Sequence, residues 1–299
     1  TIIHDAHPDY ASSRWARDYA DKHSLGRRAV YHHRAHASTL CGDYPAETNW
    51  LVFTWDGTGL GEDNSLWGGE TLYGTSGHWQ RVVRFRPFQL VGGDKVALQP
   101  WRSALSICQE AGIGWHADGV DIDMFTQAYN KQSGIISSAA GRLFDAAAAI
   151  ILKRYQCSFD GQAPMELEHT ASGLSPELAI PLTLTPRSDE LLDIDYRKLF
   201  RSLVEQSELE NDQASNIFHS SMAMNIVQQV EHFHEIYDDF AIGLTGGVFQ
   251  NKKLTEFVMQ TLAQKNYRVY LSHSVPCNDG GLSYGQIIET HGILKHEQN

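Results

Sequence analysis

The segment from residue 240 to residue 273, "FAIGLTGGVFQNKKLTEFVMQTLAQKNYRVYLSH", constrains the fold more than any other part of the chain. It reads as an apolar strand, a Gly-Gly turn, a helix and a second strand, in that order. A strand that is followed by a helix and another strand is the repeating unit of α/β proteins. The sequence therefore predicts an α/β fold.

The rest of the chain alternates in the same way. A helix is predicted over His7–Gly26 because a proline stands in its first turn and a glycine closes it. An apolar strand is predicted over Trp50–Trp55, where an Asp-Gly pair stops it, and a glycine-rich hairpin or meander follows. Alanine-rich helices dominate from about residue 97. This order predicts two α/β lobes, which we place at residues 1–135 and 136–299.

Composition narrows the classes of function. The chain has 299 residues, is 42% hydrophobic and carries a formal net charge of −12, without a basic patch. We therefore expect a globular protein that binds no nucleic acid. The longest apolar run, Ala146–Leu152, is too short to cross a bilayer, so no membrane partner is expected. Four scattered cysteines without a CxxC pair indicate reduced thiols and a cytoplasmic location. Because the chain starts with Thr1, we expect it to be part of something longer.

Three histidines stand close together in "YHHRAHASTL". His32 and His36 are four residues apart, so on a helix they share a face, roughly 6 Å from each other. Two imidazoles at this spacing can hold one divalent cation. The alternative is a pair of partly exposed histidines at the start of a helix. His33 points elsewhere and could serve a substrate or support a metal ligand.

Two aspartates occupy positions that suit metal or phosphate chemistry. Asp56 follows an apolar strand and precedes a glycine turn, and Asp279 precedes a Gly-Gly pair that leads into the last helix. Each could instead only cap its own turn. Two histidines and two aspartates together form a mixed nitrogen and oxygen set that suits iron or zinc with an open position.

Glycine turns indicate where a nucleotide could bind. Gly246 and Gly247 lie between a strand and a helix, where backbone amides can approach a phosphate closely, although tight turns use such pairs widely. Asn251 is expected one helical turn further on. Gly141 opens a helix with "GRLFD", whose Asp145 could accept hydrogen bonds from ribose hydroxyls or form a surface salt bridge.

Taken together, several segments resemble the carboxyl-terminal region of the hydrogenase maturation carbamoyltransferase family, HypF. The matching segments follow the family's order from about residue 4 to residue 286 and include "HPDYASSRWA", "HHRAH", "DGTGLGEDNSLWGGE", "GRLFDAAAA", "TGGVFQN" and "NDGGLSYGQ". Two more, "GGDKVALQPWR" and "FDGQAPMELE", favour HypF over the TsaD-type and antibiotic O-carbamoyltransferases. The resemblance implies a two-lobed actin/hexokinase/Hsp70-type ATPase fold with duplicated RNase H-like lobes.

The resemblance also assigns site residues. The family's metal-binding positions fall on His32, His36, Asp56 and Asp279, and its nucleotide-side positions fall on Gly141, Asp145, Gly246, Gly247 and Asn251. The implied cofactors are a divalent metal, iron or zinc, and ATP or carbamoyl-adenylate, with Mg²⁺ as a further candidate. His33 is hypothesised to assist the deprotonation of an incoming thiol.

The implied activity is one step of a longer reaction. In the family, a YrdC-like domain makes carbamoyl-adenylate from ATP and carbamoyl phosphate-derived carbamate. The region that this chain resembles transfers the carbamoyl group to the carboxyl-terminal cysteine of HypE, for the cyanide ligand of [NiFe]-hydrogenase. HypE and the YrdC-like domain are therefore the implied partners.

The sequence departs from full-length HypF in ways that keep alternatives open. Acylphosphatase-like, zinc-finger and YrdC-like parts are not found in it, Arg34 stands where the family usually has a third histidine, and the first strands of the transferase region are expected to be missing. An exposed sheet edge is expected where those strands would pair. The alternatives are a small-molecule O-carbamoyltransferase on the same fold and a non-catalytic module that binds nucleotide and a partner.

Overall fold

The computed structural model describes residues 1–206 and 208–298, and within this range it contains eleven strands and ten α-helices. None of the described helices is long and apolar enough to cross a membrane. The strands are β1 (Ile2–Asp5), β2 (Arg27–Val30), β3 (Trp50–Leu60), β4 (Leu66–Thr75), β5 (His78–Phe85), β6 (Phe88–Leu90), β7 (Ile135–Ser137), β8 (Thr183–Pro186), β9 (Leu192–Asp195), β10 (Ala241–Thr245) and β11 (Val269–Leu271). The helices are α1 (Ala11–His23), α2 (His32–Asp43), α3 (Trp101–Ala111), α4 (Asp123–Asn130), α5 (Ala140–Ile151), α6 (Gln162–Thr170), α7 (Arg197–Glu205), α8 (Asn211–His234), α9 (Lys252–Gln264) and α10 (Leu282–Glu297).

A nine-stranded mixed sheet forms the centre of the molecule. Its main order is β11-β10-β3-β4-β5-β9-β8, and β6 and β7 pair beside β4. Strand β3 pairs in parallel with β10 and antiparallel with β4, while β10 and β11 are parallel and connected by α9. The predicted α/β fold is confirmed, including the strand–helix–strand unit at its carboxyl-terminal end.

Strand β3 is buried on both faces. Trp50 and Val52 pack with Leu40 of α2 on one side of the sheet. Leu51 and Phe53 belong to the larger core that α3, α5, α8 and α9 complete on the other side. Because successive side chains of a strand point to opposite faces, an almost continuous apolar run such as this one requires helices on both sides. The middle of the sheet is thus packed on both faces, which fixes the position of the residues toward the end of β3.

Strands from both predicted lobes share this sheet. Strand β3 precedes residue 135 and β10 follows it, yet the two are hydrogen-bonded neighbours from Ala241↔Trp50 to Thr245↔Thr54. A boundary at residue 135 would cut through a continuous ladder. The division into lobes at residues 1–135 and 136–299 stays a prediction.

A second sheet contains only β1 and β2 among the described residues. The two strands are parallel, with Asp5 opposite Val30, and α1 connects them. Each strand has one paired edge among the described residues, and the expected exposed edge stays a prediction. Since α2 begins at His32, both strands of this small sheet end next to the first histidine of the cluster.

The first helix is shorter than predicted. It begins at Ala11 because the segment before it forms a turn, in which the Asp5 carboxylate accepts a hydrogen bond from the amide of His7. It ends at His23 because Ser24 adopts a left-handed conformation, with φ 53°. The prediction of a helix over His7–Gly26 was therefore right in kind and wrong in extent.

Candidate metal centre and the residues around it

Asp56 lies in a bulge inside a strand, not at the end of one. Strand β3 continues to Leu60, but its pairing with β4 shifts between Trp55 and Gly59, so that residues 56–58 face the single residue Gly68. Gly68 has φ 154°, and a Cβ there would lie 2.8 Å from the carbonyl oxygen of Asp56. The prediction that the strand stops at Asp56 was wrong, because glycine on the neighbouring strand makes room for extra residues.

Helix α2 carries His32 and His36 on one face. It begins at His32, directly after the extended residue Tyr31, and the two imidazole rings lie 4.9 Å apart between their centroids. Both rings are buried. The alternative of partly exposed histidines is therefore wrong, since the helix presents both side chains to the interior.

The two histidines meet two aspartates from distant parts of the chain. The Nε2 atoms of His32 and His36 lie 3.1 and 3.4 Å from Oδ2 of Asp56. Oδ1 of Asp279 lies 3.5 Å from the first of these nitrogens and 3.4 Å from the second. The four candidate ligand atoms all lie within 4.8 Å of one another. We call these four residues the His–Asp cluster.

The His–Asp cluster is closed on three sides and open on one. His32, His36 and Asp56 are buried, whereas the side chain of Asp279 is 67% exposed. A small molecule or ion can therefore reach the cluster on the side of Asp279. This arrangement resembles metal sites that keep an open position for water or substrate.

The charges of the His–Asp cluster shift its pKa values. Burial alone would lower the pKa of His32, but hydrogen bonds to Asp279, Asp5 and Asp56 raise it well above its ordinary value. Burial alone would raise the pKa of Asp56, but the polar contacts and charges of His32 and His36 lower it well below its ordinary value. The cluster therefore favours ionised carboxylates, the form in which carboxylates bind metals.

The donor set fits a divalent cation. Neither ring nitrogen of His36 makes an aligned hydrogen bond with a described residue, although the ring is buried. An unsatisfied buried polar atom is costly and calls for a partner that the protein alone does not supply. Two imidazole nitrogens and two carboxylate oxygens that converge on one point suit iron or zinc.

Three predicted nucleotide-side glycines pack around Asp56. The amide of Gly247 donates a hydrogen bond of 2.9 Å to Oδ1 of Asp56, the oxygen that the histidines do not share. Gly246 has φ 101°, and a Cβ there would lie 2.2 Å from the carbonyl oxygen of Trp55. A Cβ on Gly141 would lie 3.0 Å from the carbonyl oxygen of Asp56. These glycines permit close packing against the bulge, and their contact with a nucleotide stays a prediction.

Asp145 is buried beside an arginine. Its side chain is 1% exposed, and Nη1 of Arg142 lies 3.0 Å from its Oδ2, so the alternative of a surface salt bridge is wrong. Burial raises the pKa of Asp145 to about 7 in spite of that guanidinium. Arg142 also reaches Oδ1 of the exposed Asp160, at 3.4 Å. A buried carboxyl that titrates near neutrality suits hydrogen bonding to hydroxyl groups, and its ribose contact stays a prediction.

Asn251 stands at the start of a helix. Residues Gly247–Gln250 form a 3₁₀ turn, so α9 begins at Lys252 and not near residue 248 as expected. The side chain of Asn251 accepts a hydrogen bond from the amide of Leu254 and donates one of 2.9 Å to Nε2 of His219. Both of its polar atoms are thus engaged within the protein, and a nucleotide contact would compete with these bonds.

His33 is buried away from solvent. It is 1% exposed, its ring nitrogens make no aligned hydrogen bond with a described residue, and its ring lies 6.1 Å from that of Trp67. Burial, and then the charge of His32, lower the pKa of His33 well below its ordinary value. His33 is therefore neutral and covered. Its hypothesised action on a thiol stays a prediction, and it requires a movement that uncovers the ring.

Sequence reasoning missed Asp5 and Arg142. The carboxylate of Asp5 lies 3.0 Å from Nδ1 of His32, and Arg142 sits against Asp145 inside "GRLFD". Arg142 could have been found from its position in that motif, whereas the contact of Asp5 depends on the pairing of β1 with β2. Arg34, where the family usually has a third histidine, pairs with Glu62 outside the His–Asp cluster.

Two family profiles match most of the chain. A family profile described as "Carbamoyltransferase, Kae1-like Domain, second subdomain" matches residues 52–286, and one described as "HypF Kae1-like domain" matches residues 1–43. The chain belongs to the HypF carbamoyltransferase family. The two HypF profiles divide the chain between residues 43 and 52, near the start of β3, and not at residue 135.

Individual HypF proteins match over nearly the whole chain. Carbamoyltransferase HypF of Rhodobacter capsulatus is 33% identical over an alignment of 293 positions, gaps included, that covers 95% of this chain and 38% of that protein. A carbamoyltransferase HypF homolog of Cupriavidus necator is 30% identical over an alignment of 303 positions, gaps included, that covers 95% of this chain and 76% of that protein. The chain thus spans well under half the length of the first of these relatives.

Solved HypF structures share the fold. The crystal structure of full-length HypF in the phosphate- and nucleotide-bound form matches with a TM-score of 0.86 and 26% identity, over 98% of this chain and 47% of that one. The crystal structure of T. kodakarensis HypF matches with a TM-score of 0.84 and 24% identity, over 99% and 41%. The predicted actin/hexokinase/Hsp70-type α/β fold is confirmed.

Proposed function

We propose that this chain carries out the final carbamoyl transfer of HypF, from carbamoyl-adenylate to the carboxyl-terminal cysteine of HypE. The observation that supports this most strongly is the His–Asp cluster, which lies open on one side and adjoins the Gly246-Gly247 turn through Asp56. A reactive anhydride and a thiol need a site that binds a nucleotide beside a polarising charge.

The reaction is a simple acyl transfer. The thiolate sulfur of HypE forms a bond to the carbamoyl carbon, and the bond from that carbon to the adenylate phosphate oxygen breaks. AMP leaves with the electron pair, and the thiol proton goes to water. The protein need not supply a nucleophile of its own, because the partner brings one.

The residues present suit one divalent cation, iron or zinc, which His32, His36, Asp56 and Asp279 would hold. When bound, such a cation supplies Lewis acidity toward the carbamoyl carbonyl. Asp56 is held in place for this by the amide of Gly247, which fixes its second oxygen. Preorganised ligands bind without the cost of ordering themselves.

The nucleotide is proposed to lie on the glycine side of Asp56. Gly141, Gly246 and Gly247 leave backbone close to the cluster, and Asp145 is placed to bond ribose hydroxyls. One solved relative is described as nucleotide-bound, which supports ATP or carbamoyl-adenylate as the ligand. Mg²⁺ would accompany ATP through its phosphates.

The proposed partners are HypE and a YrdC-like domain. The chain spans 38% of the Rhodobacter capsulatus relative, so the step that makes carbamoyl-adenylate is assigned to another part of such a protein. The net charge of −12 supports the absence of a nucleic-acid partner. A cytoplasmic location stays a prediction.

The His36→Ala variant tests the proposal. It removes a ligand without removing the carboxylates, so we expect loss of bound metal and loss of transfer to HypE when carbamoyl-adenylate is supplied. Elemental analysis and mass spectrometry of the HypE tail measure these two outcomes. His116→Ala is the matched control, because that imidazole is 78% exposed and pairs with Asp118 on the surface.

Other outcomes would favour the alternatives. Normal transfer by the His36→Ala variant would count against the cluster as the reaction centre. Carbamoylation of a small-molecule hydroxyl but not of HypE would identify an O-carbamoyltransferase. Nucleotide binding without transfer by the wild-type chain would identify a non-catalytic module.

A further inference from the structure

Asp5 contacts the far side of the His32 ring. Its Oδ2 lies 3.0 Å from Nδ1 of His32, whereas Nε2 of the same ring lies 3.1 Å from Asp56. Both side chains of the Asp5–His32 pair are buried. When a neutral imidazole carries its proton on Nδ1 and donates a hydrogen bond from there to a carboxylate, the lone pair of Nε2 is free to bind a cation. Asp5 therefore stands where a histidine ligand receives its orientation.

The Asp5 carboxylate is itself held by several elements. Its Oδ1 accepts a hydrogen bond of 2.7 Å from the amide of His7, and its backbone carbonyl accepts one of 2.9 Å from the hydroxyl of Ser13 in α1. In the small sheet Asp5 pairs with Val30, two residues before His32. Since the backbone on both sides is fixed, the carboxylate has little freedom to turn away from the imidazole.

We propose that Asp5 is a positioning residue for the metal centre, which holds His32 with its proton on Nδ1 and Nε2 directed at the cation. This inference rests on the proposed metal site. It assigns the short β1–α1–β2 unit a part in metal binding, although none of the four cluster residues lies in β1, α1 or β2.

Coupling of this kind acts in both directions. If the pairing of β1 with β2, which places Asp5 against His32, improves cation binding, then a bound cation must stabilise this pairing by the same free energy. The amides of β1 report on this, because those of Ile2 and Ala6 are hydrogen-bonded to the carbonyls of Gly26 and Val30. Their hydrogen exchange should slow when a cation binds.

The first test measures zinc affinity of the full chain by competition with a chromophoric chelator. Asp5→Ala should weaken Zn²⁺ binding about 10- to 100-fold, as the loss of such outer partners does in other metal sites. Asp5→Asn keeps one acceptor oxygen but turns the other into an NH2 donor, so it can preserve only one of the contacts to His7 and His32, and a loss smaller than that of Asp5→Ala is expected. Asp9→Ala is the matched control, since this neighbouring carboxylate is exposed and should bind Zn²⁺ as the wild type does.

The second test follows hydrogen exchange with and without Zn²⁺. In the wild type, Zn²⁺ should slow exchange in residues 2–6, and the effect should shrink in the Asp5→Asn variant. Hydrogen exchange in strand β8, which forms one edge of the large sheet, should not change when Zn²⁺ is added. A purely structural role of Asp5 would change thermal unfolding of the metal-free protein without this zinc-dependent difference, so the wild-type measurement decides even if Asp5→Ala fails to fold.

The outcomes separate this inference from the proposed function. Zn²⁺ that binds the wild type, is lost in His36→Ala and is retained within twofold in both Asp5 variants would overturn the role of Asp5 alone. Unchanged exchange of β1 on zinc binding would do the same. A wild-type chain that binds no Zn²⁺ would overturn both the metal site and the role of Asp5.

Discussion

Asp56 and Asp145 are two buried aspartates near the same bulge, and their pKa values shift in opposite directions. Burial acts to raise both. At Asp56, the polar contacts and charges of two imidazoles outweigh burial, and the pKa falls well below its ordinary value. At Asp145 one guanidinium lies 3.0 Å away, yet the pKa rises to about 7.

The difference follows from the number and alignment of donors. Asp56 receives hydrogen bonds from His32 and from the amide of Gly247, so its charge is shared among fixed partners. Neither oxygen of Asp145 receives an aligned hydrogen bond from a described residue. A buried carboxylate that lacks aligned donors is stabilised less as a charge, and it remains available to a ligand's hydroxyl groups. The surroundings of Asp56 thus suit a cation, and those of Asp145 suit a neutral polar group.

The test with the largest expected effect replaces each of the two carboxylates by an amide, in two separate variants. Asp56→Asn should weaken metal binding strongly, because both imidazoles share that carboxylate, and with the amide of Gly247 on the remaining oxygen the NH2 group would face the cation. Asp145→Asn should leave the metal content at the wild-type level. Elemental analysis of the two purified variants gives the answer, and a full metal load in Asp56→Asn would break the comparison.

The second test concerns stability and pH in the nucleotide-free protein. A carboxyl whose pKa is higher when folded favours the folded state at low pH, and this contribution is lost as the pH rises through about 7. Between pH 5 and pH 8 the wild type should lose about 3 kcal/mol relative to Asp145→Asn, at about 1.4 kcal/mol per pKa unit. Urea unfolding at both pH values measures this. Parallel pH dependence of the two proteins would show that Asp145 ionises normally.

The smallest expected effect is on nucleotide affinity. Asp145→Asn should weaken the binding of an adenine nucleotide about tenfold, the typical weight of one hydrogen bond to a charged group. Calorimetry with ADP measures it, and Asp118→Asn serves as the control because that carboxylate lies on the surface. Equal affinities of all three proteins would remove Asp145 from the nucleotide pocket.

Local signals in the sequence account for part of the site. The spacing of His32 and His36 predicts a shared helical face, and the strand–helix–strand pattern near the end of the chain predicts a parallel pair. Both are confirmed because they depend on neighbouring residues only. The gathering of Asp56 and Asp279 around the histidines was expected from family resemblance, since spacing along the chain says nothing about it.

Features that depend on distant strands could not be predicted. The bulge at Asp56 requires Gly68 on the next strand, and the contact of Asp5 with His32 requires the register of the small sheet. The pairing of β10 with β3 joins segments almost 200 residues apart, and no local pattern indicates it.

The single exposed ligand, Asp279, has a consequence for kinetics. A cation bound in the proposed site would have three buried ligands and one on the surface, so its exchange with solvent would run past Asp279. How long the ion stays bound would then depend on the motion of the segment that carries Asp279, while the interior ligands would set how selectively it is chosen. Residence time and selectivity could thus be tuned separately.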